Sequence, residues 1–204
     1  KIFIRVIKSI QRKMKKFYLL IIIFFGLTIN CNAETNRIVS GQENAKITII
    51  AYESLTCSHC ANFHKDIYPQ LKKDYIDTGL VKIEFRHFPL DIAALNASKI
   101  AQCKSSQGLE ILESLYFNQQ SWVKGSTVEE INNNLRQFIK KEGFNINFEK
   151  CINNKEIEDY VLNDRIEGVK KFKVNATPTI IINNEKFEKS LNYKNLKKSL
   201  EKLI

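Results

Sequence analysis

Ile47-Thr48-Ile49-Ile50-Ala51-Tyr52-Glu53-Ser54-Leu55-Thr56-Cys57-Ser58-His59-Cys60 is the stretch from which the rest of the chain is read. Its first six residues are β-branched, aliphatic or aromatic and predict a strand over Ile47 to Tyr52. Its last four place two cysteines two residues apart, able to close into a small-ring disulfide or open to a dithiol. Beyond them Ala61, Phe63, Ile67 and Leu71 recur at helical spacing and predict a helix to about Tyr75, with Pro69 as a kink or break. Strand, CxxC, helix is the context in which such a pair reads as redox chemistry. Cys57 would open the helix, where free N–H groups and the helix dipole favour an anion. His59, between the cysteines, lowers the cost of a thiolate on Cys57.

Residues 1–33 read as an export leader. Met14-Lys15-Lys16 is a short basic start, Phe17 to Phe25 is unbroken apolar, and Cys31-Asn32-Ala33 is a small-x-small cleavage site before Glu34. The apolar run is short for a transmembrane helix, and an uncleaved anchor is the rival reading. Residues 1–13 contain no Met, which points to Met14 as initiator; Leu27-Thr28-Ile29-Asn30 is a poor lipobox for Cys31. The leader also carries much of the formal charge of +10: it holds seven of the 32 Lys and Arg and no acid, leaving 25 against 22 Asp and Glu. With no basic domain or stripe left, a nucleic-acid binder is excluded.

The remainder has no repeat or low-complexity tract and reads as one compact domain, or a domain with an insertion. After the leader four cysteines remain, Cys57, Cys60, Cys103 and Cys151, and an exported chain with an even count permits disulfides. Four cysteines allow three connectivities, which sequence alone leaves open, although proximity makes Cys57–Cys60 the natural first pair.

Val81 to Phe85 alternates as a strand after a Thr78-Gly79 turn, and Pro89 stops it. From Asp91, a capping residue, to about Lys171 the pattern is helical, with stripes through Ala94, Ile100, Ala101 and Cys103, then Leu109, Leu112, Leu115 and Tyr116. Thr127-Val128-Glu129-Glu130 is a capping-box signal for a helix that Gly143 ends. Thr179 to Ile182 is a strand, Asn183-Asn184 a tight turn and Lys186-Phe187 a short return. A final helix has Tyr193, Leu196, Leu200 and Leu203 on one side. The order suggests an α/β, thioredoxin-like sheet in residues 34–90 and 172–204 with a helical domain inserted at 91–171.

Three segments together carry a resemblance. Tyr52 to Cys60, Arg86-His87-Phe88-Pro89-Leu90 and Val174-Asn175-Ala176-Thr177-Pro178-Thr179 resemble the active-site segment, the lead into the helical insertion and the cis-proline loop of the DsbA-type thiol–disulfide oxidoreductases of the thioredoxin superfamily. The resemblance covers essentially all of residues 34–204, in the right order. It implies Cys57 as the exposed nucleophile, Cys60 as the resolving thiol and His59 as a stabiliser of the thiolate. It implies a cis bond between Thr177 and Pro178, exposing the Thr177 backbone to pair with an extended substrate. It implies a second, structural disulfide, Cys103–Cys151, worth roughly 4 kcal/mol on the chain-entropy model. Two departures stand out. Ser58 occupies a position where the best-known members have proline, and Ala51 one where thioredoxins have a buried Asp, which disfavours a thioredoxin-like reductase.

The implied function is an exported oxidase that gives the Cys57–Cys60 disulfide to unfolded exported proteins with free cysteines, reoxidised by a DsbB-type membrane partner. It is periplasmic or membrane-anchored facing the periplasm, monomeric, and needs no metal or cofactor. A disulfide isomerase or reductase is the second reading. Thr177 before Pro178 keeps it open, while the 23 residues from Glu34 up to Cys57 are too few for the N-terminal dimerisation domain of the dimeric isomerases. A non-enzymatic export chaperone is the third. Among weaker candidates, Cys57, Cys60 and His64 lack a fourth zinc ligand, and Ala61 stands where a c-type haem needs His. His64 reads as a surface helix residue, His87 as structural and Trp122 as packing in the helical block.

Overall fold

A computed structural model describes residues 36–204, so the leader expected in residues 1–33 lies outside the described residues. Ile47–Glu53 and Val81–His87 (β2 and β3) form a parallel pair, with Ile47 opposite Val81 and Glu53 opposite His87. Parallel neighbours need a crossover, and the helix that opens at Ser58 supplies it. β2 is a continuous apolar run because both its faces are covered: Ile47, Ile49, Ala51 and Tyr52 are buried, as is Ile50. β3 alternates instead, with Val81, Ile83, Phe85 and His87 buried and Lys82, Glu84 and Arg86 half-buried on the other face.

Thr179–Ile182 (β4) runs antiparallel to β2, and Glu185–Lys186 (β5) returns against β4 through Asn183 and Asn184, both at positive φ. On the far side Ile38–Ser40 (β1) pairs antiparallel with β3, Ile38 opposite Phe85. Among the described residues the sheet order is β1-β3-β2-β4-β5. β1 is absent from the sequence reading because three residues show no period; its place is fixed only by pairing with residues more than forty positions away.

The first helix (α1) spans Ser58–Asn62 and continues through Phe63–Ile67, Tyr68–Leu71 and Lys72–Ile76. Pro69 does not break it. Proline has no N–H to donate, and the residues just before it, Phe63–Ile67, widen into a π turn that keeps the chain helical.

Between β3 and β4 lie α2 (Ile92–Gln102), α3 (Gly108–Phe117), α4 (Gln119–Trp122), α5 (Val128–Lys141), α6 (Phe148–Ile152) and α7 (Lys155–Phe172). Asp91 caps α2, accepting from the Ala94 N–H at 2.7 Å, and Thr127 caps α5, accepting from the Glu130 N–H at 3.2 Å. The Glu130 carboxylate reaches back to the Ser126 N–H rather than to Thr127, so the capping box closes one residue early. The closing helix (α8, Tyr193–Leu200) buries Leu196 and Leu200, while Leu203, expected on the same stripe, lies past its end and is exposed.

One buried cluster joins the sheet to the inserted helices: Ile49, Ala51, Cys60 and Phe63 pack with Ala97, Ile111, Leu115, Trp122 and Leu135. On the opposite face α7 closes over Tyr52, Phe88 and Ile181. Gly168 permits that approach, since a Cβ there would stand 2.8 Å from a Tyr52 ring carbon. Asp164 of α7, wholly buried, accepts from the His87 N–H at 3.1 Å and pairs with Arg37 and Arg86, locking α7 to the sheet edge. The fold is thioredoxin-like α/β with helices inserted between β3 and β4. Among the described residues no helix is long and apolar enough to cross a membrane.

Candidate active site

The register of β2 on β4 sets Tyr52 opposite Thr179, so the residues just beyond both, 54–57 and 177–178, meet at one end of the sheet. Cys57 is the residue before α1, with extended backbone (φ −78°, ψ 120°). Its N–H donates to Ser54 O at 3.0 Å and its carbonyl accepts from the Ala61 N–H at 3.2 Å. Cys57 and Cys60 are free thiols, Cys57 half-buried and Cys60 wholly buried one helical turn on. The Thr177–Pro178 peptide bond is cis, and the Cys57 thiol donates to the Thr177 carbonyl at 3.4 Å. Two motifs 120 residues apart thus form one site.

The two sulfurs face opposite environments. Hydrogen bonding from the Cys60 thiol, then the Thr177 side chain and the backbone N–H groups of Cys60 and His59, outweighs partial burial and lowers Cys57 to about 5. Thr177 serves both protonation states: its carbonyl accepts from the thiol, and its hydroxyl, without another partner among the described residues, can donate to the thiolate. Burial pushes the Cys60 thiol well above its ordinary value, and the bond it gives to Cys57 and the charge of Glu53 act in the same direction. The lowered Cys57 beside the raised Cys60 favours a thiolate on the first sulfur and a thiol on the second. The His59 ring is exposed, and what the residue turns towards Cys57 is its backbone N–H.

Cys103 and Cys151 are joined, with Cα atoms 5.6 Å apart, tying the end of α2 to α6. Trp122 is fully buried and donates to Leu115 O at 2.9 Å. His87 is buried with Nε2 3.2 Å from Gln102 Oε1, and burial lowers its pKa.

Two features escape sequence reading. Gln119 of α4, nearly buried, donates from Nε2 to Leu55 O at 2.8 Å and Cys57 O at 3.0 Å. Nothing marks that glutamine in the chain; its place depends on how the inserted helices pack. His64, expected at the surface, is wholly buried, stacked on Tyr116 at 4.1 Å between centroids, with Nε2 2.9 Å from Glu53 Oε2. The signal was available: His64 is four residues after Cys60 and so shares its inward face.

A family model described as Thioredoxin matches residues 33–202. The crystal structure of alpha-DsbA1 from Wolbachia pipientis superposes with a TM-score of 0.74 at 30% identity, covering 82% of this chain and 90% of that one. BdbD from Bacillus subtilis, at 22% identity and a TM-score of 0.68, shows the same fold. Disulfide bond formation protein D of Bacillus subtilis is 27% identical over 174 residues, 80% of this chain and 75% of that protein. Relatives in Rickettsia conorii and Rickettsia prowazekii named as protein-disulfide oxidoreductases are each 26% identical, and the chain spans 57% and 62% of their lengths. The chain belongs to the thioredoxin family, in the DsbA-type form that carries a helical insertion between two strands of the sheet.

Proposed function

We propose that this protein is an exported thiol:disulfide oxidoreductase that works as an oxidase, giving the Cys57–Cys60 disulfide to proteins with free cysteines. The observation that carries the reading is the placing of the sulfurs, Cys57 half-buried at the start of α1 and 3.4 Å from the Thr177 carbonyl, Cys60 wholly buried behind it, with Cys57 lowered to about 5 and Cys60 raised in keeping. A substrate thiolate attacks Cys57 of the disulfide, Cys60 leaves, and a second substrate thiol displaces Cys57 as a stable thiolate. Stabilising that thiolate stabilises the reduced form, which makes the disulfide a stronger oxidant. Thr177 and Pro178 form the wall along which an extended substrate backbone pairs, and His59 stabilises the Cys57 thiolate through its backbone N–H. Residues 34–90 and 172–204 are the thioredoxin-like unit and 91–171 the insertion. Unfolded exported chains are the substrates, a DsbB-type membrane protein the reoxidant, and the periplasm the compartment. The names of the relatives, disulfide bond formation protein and protein-disulfide oxidoreductase, support the same reaction class.

The test is the reduction potential of the Cys57–Cys60 pair, by glutathione titration of the purified protein. A value well above roughly −270 mV, the thioredoxin level, is expected. A value at or below that level would overturn the oxidase direction and favour reduction or isomerisation, which insulin-reduction and scrambled-ribonuclease assays then separate.

A further inference from the structure

The turn from β2 into Cys57 is held by more than Gln119. The segment from Phe88 to Asp91 runs along it and meets it three times. The Phe88 N–H donates to Glu53 O at 2.7 Å, the Leu90 N–H to Ser54 Oγ at 3.3 Å, and the Thr56 hydroxyl to Asp91 Oδ2 at 2.7 Å. The third contact differs from the other two: it joins two side chains, and it falls on the residue next to Cys57. The Asp91 carboxylate is fixed where it stands, because Oδ1 accepts from the Ala94 N–H at 2.7 Å. Ala93 and Ala94 are buried, so the first turn of α2 is anchored in the core. Each carboxylate oxygen therefore has its own donor, one from α2 and one from the turn. Capping α2 needs only the first of them.

Stabilising a Cys57 thiolate is a matter of direction, since its sulfur must stay in line with the N–H groups of His59 and Cys60. In the oxidised protein the covalent bond to Cys60 holds that sulfur, whereas in the reduced protein its place depends on the turn. We propose that Asp91 is a positioning residue for the redox pair, holding Thr56 so that the Cys57 sulfur stays beside the first turn of α1 once the disulfide has opened. The inference rests on the disulfide-exchange reading above. Asp91 acts here through a hydrogen bond and against its own charge. A carboxylate near a thiolate disfavours it, so the geometric and electrostatic effects of Asp91 have opposite signs. Loss of the Thr56 contact weakens the thiolate and with it the reduced form; loss of the charge alone does the reverse.

The experiment measures thiolate absorbance of the reduced protein against pH, and the equilibrium of the Cys57–Cys60 pair with glutathione at neutral pH, in the parent and in three variants. Thr56→Val keeps the shape of the side chain and removes the hydroxyl. Asp91→Ser keeps the cap, and its single oxygen is committed to the Ala94 N–H. Both should raise the Cys57 midpoint by about one unit, the scale of one hydrogen bond. Both should then move the glutathione equilibrium about tenfold towards the disulfide, because one unit of midpoint is a tenfold change in thiolate stability. Thr56→Ser, which keeps the hydroxyl, should stay close to the parent. A merely structural contact would lower the denaturant midpoints of oxidised and reduced protein alike and leave both titrations unmoved, and that result would overturn the proposal. So would an unmoved titration in Thr56→Val beside a lowered midpoint in Asp91→Ser, which would leave charge as the only effect of Asp91. A parent protein that does not exchange with glutathione would instead sink the oxidoreductase reading itself, and the proposal with it.

Discussion

The side-chain amide of Gln119 donates to the carbonyl of Cys57 across 3.0 Å, so an inserted helix holds the first cysteine of the CxxC in place. The same nitrogen holds Leu55 O at 2.8 Å, and the two bonds clamp the turn from β2 into α1. Backbone geometry at Cys57 aligns the N–H groups of His59 and Cys60 with its sulfur, so the clamp bears on reactivity as well as stability.

Gln119→Leu keeps the bulk and removes both donors. The Cys57 carbonyl keeps the Ala61 N–H, but leaving the Leu55 carbonyl without its Gln119 partner costs about 1–3 kcal/mol. The denaturant midpoint should fall accordingly at unchanged slope, and the Cys57 pKa should rise as the loop loosens. An unchanged midpoint and pKa would show that the turn holds itself.

Thiolate absorbance of the reduced protein should titrate with a midpoint near 5. The folded-state pKa lies below the unfolded value, so the thiolate's contribution to the stability of the reduced form is complete above about pH 9 and lost as pH falls through about 5. The gap in stability between reduced and oxidised protein should therefore narrow from pH 8 to pH 4. A midpoint near 8.5 would remove the physical basis for an oxidase.

Cys57→Ser should abolish exchange, since no accessible thiolate remains. Cys60→Ser should keep the nucleophile, lose the step that resolves the adduct, and accumulate mixed disulfides visible by mass spectrometry. Equal activity of both variants would contradict the assignment of attack and resolution.

The Cys103–Cys151 bond spans a sequence separation of 48 within the helical segment. Replacing both with Ala should lower stability by roughly 4 kcal/mol on the chain-entropy model. Equilibrium unfolding of the variant and the parent measures the difference, and a loss below about 1 kcal/mol would show that packing alone holds this segment.

Gly168→Ala sets two effects against each other. Helix propensity favours Ala by about 1 kcal/mol. The added methyl meets the Tyr52 ring at 2.8 Å, and that ring is fully buried against Phe88 and Phe172 with no room to retreat. Overpacking of this kind typically costs about 1–3 kcal/mol, so a net fall in melting temperature is expected. A rise would mean that α7 can move off the sheet.

The chain by itself determined the strands β2 to β4, the helix after the CxxC, the capped starts at Asp91 and Thr127, and the two cysteines of the site. These are local signals: period, capping chemistry and turn residues act over a few positions. The tertiary structure decided what depends on distant partners. β1 exists because Ile38 finds Phe85, and Gln119 matters because α4 packs beside the Cys57 turn. The burial of Glu53 and His64 belongs to the same class. A carboxyl and an imidazole read as surface groups until the fold buries them against each other, 2.9 Å apart, where each offers the other a polar partner.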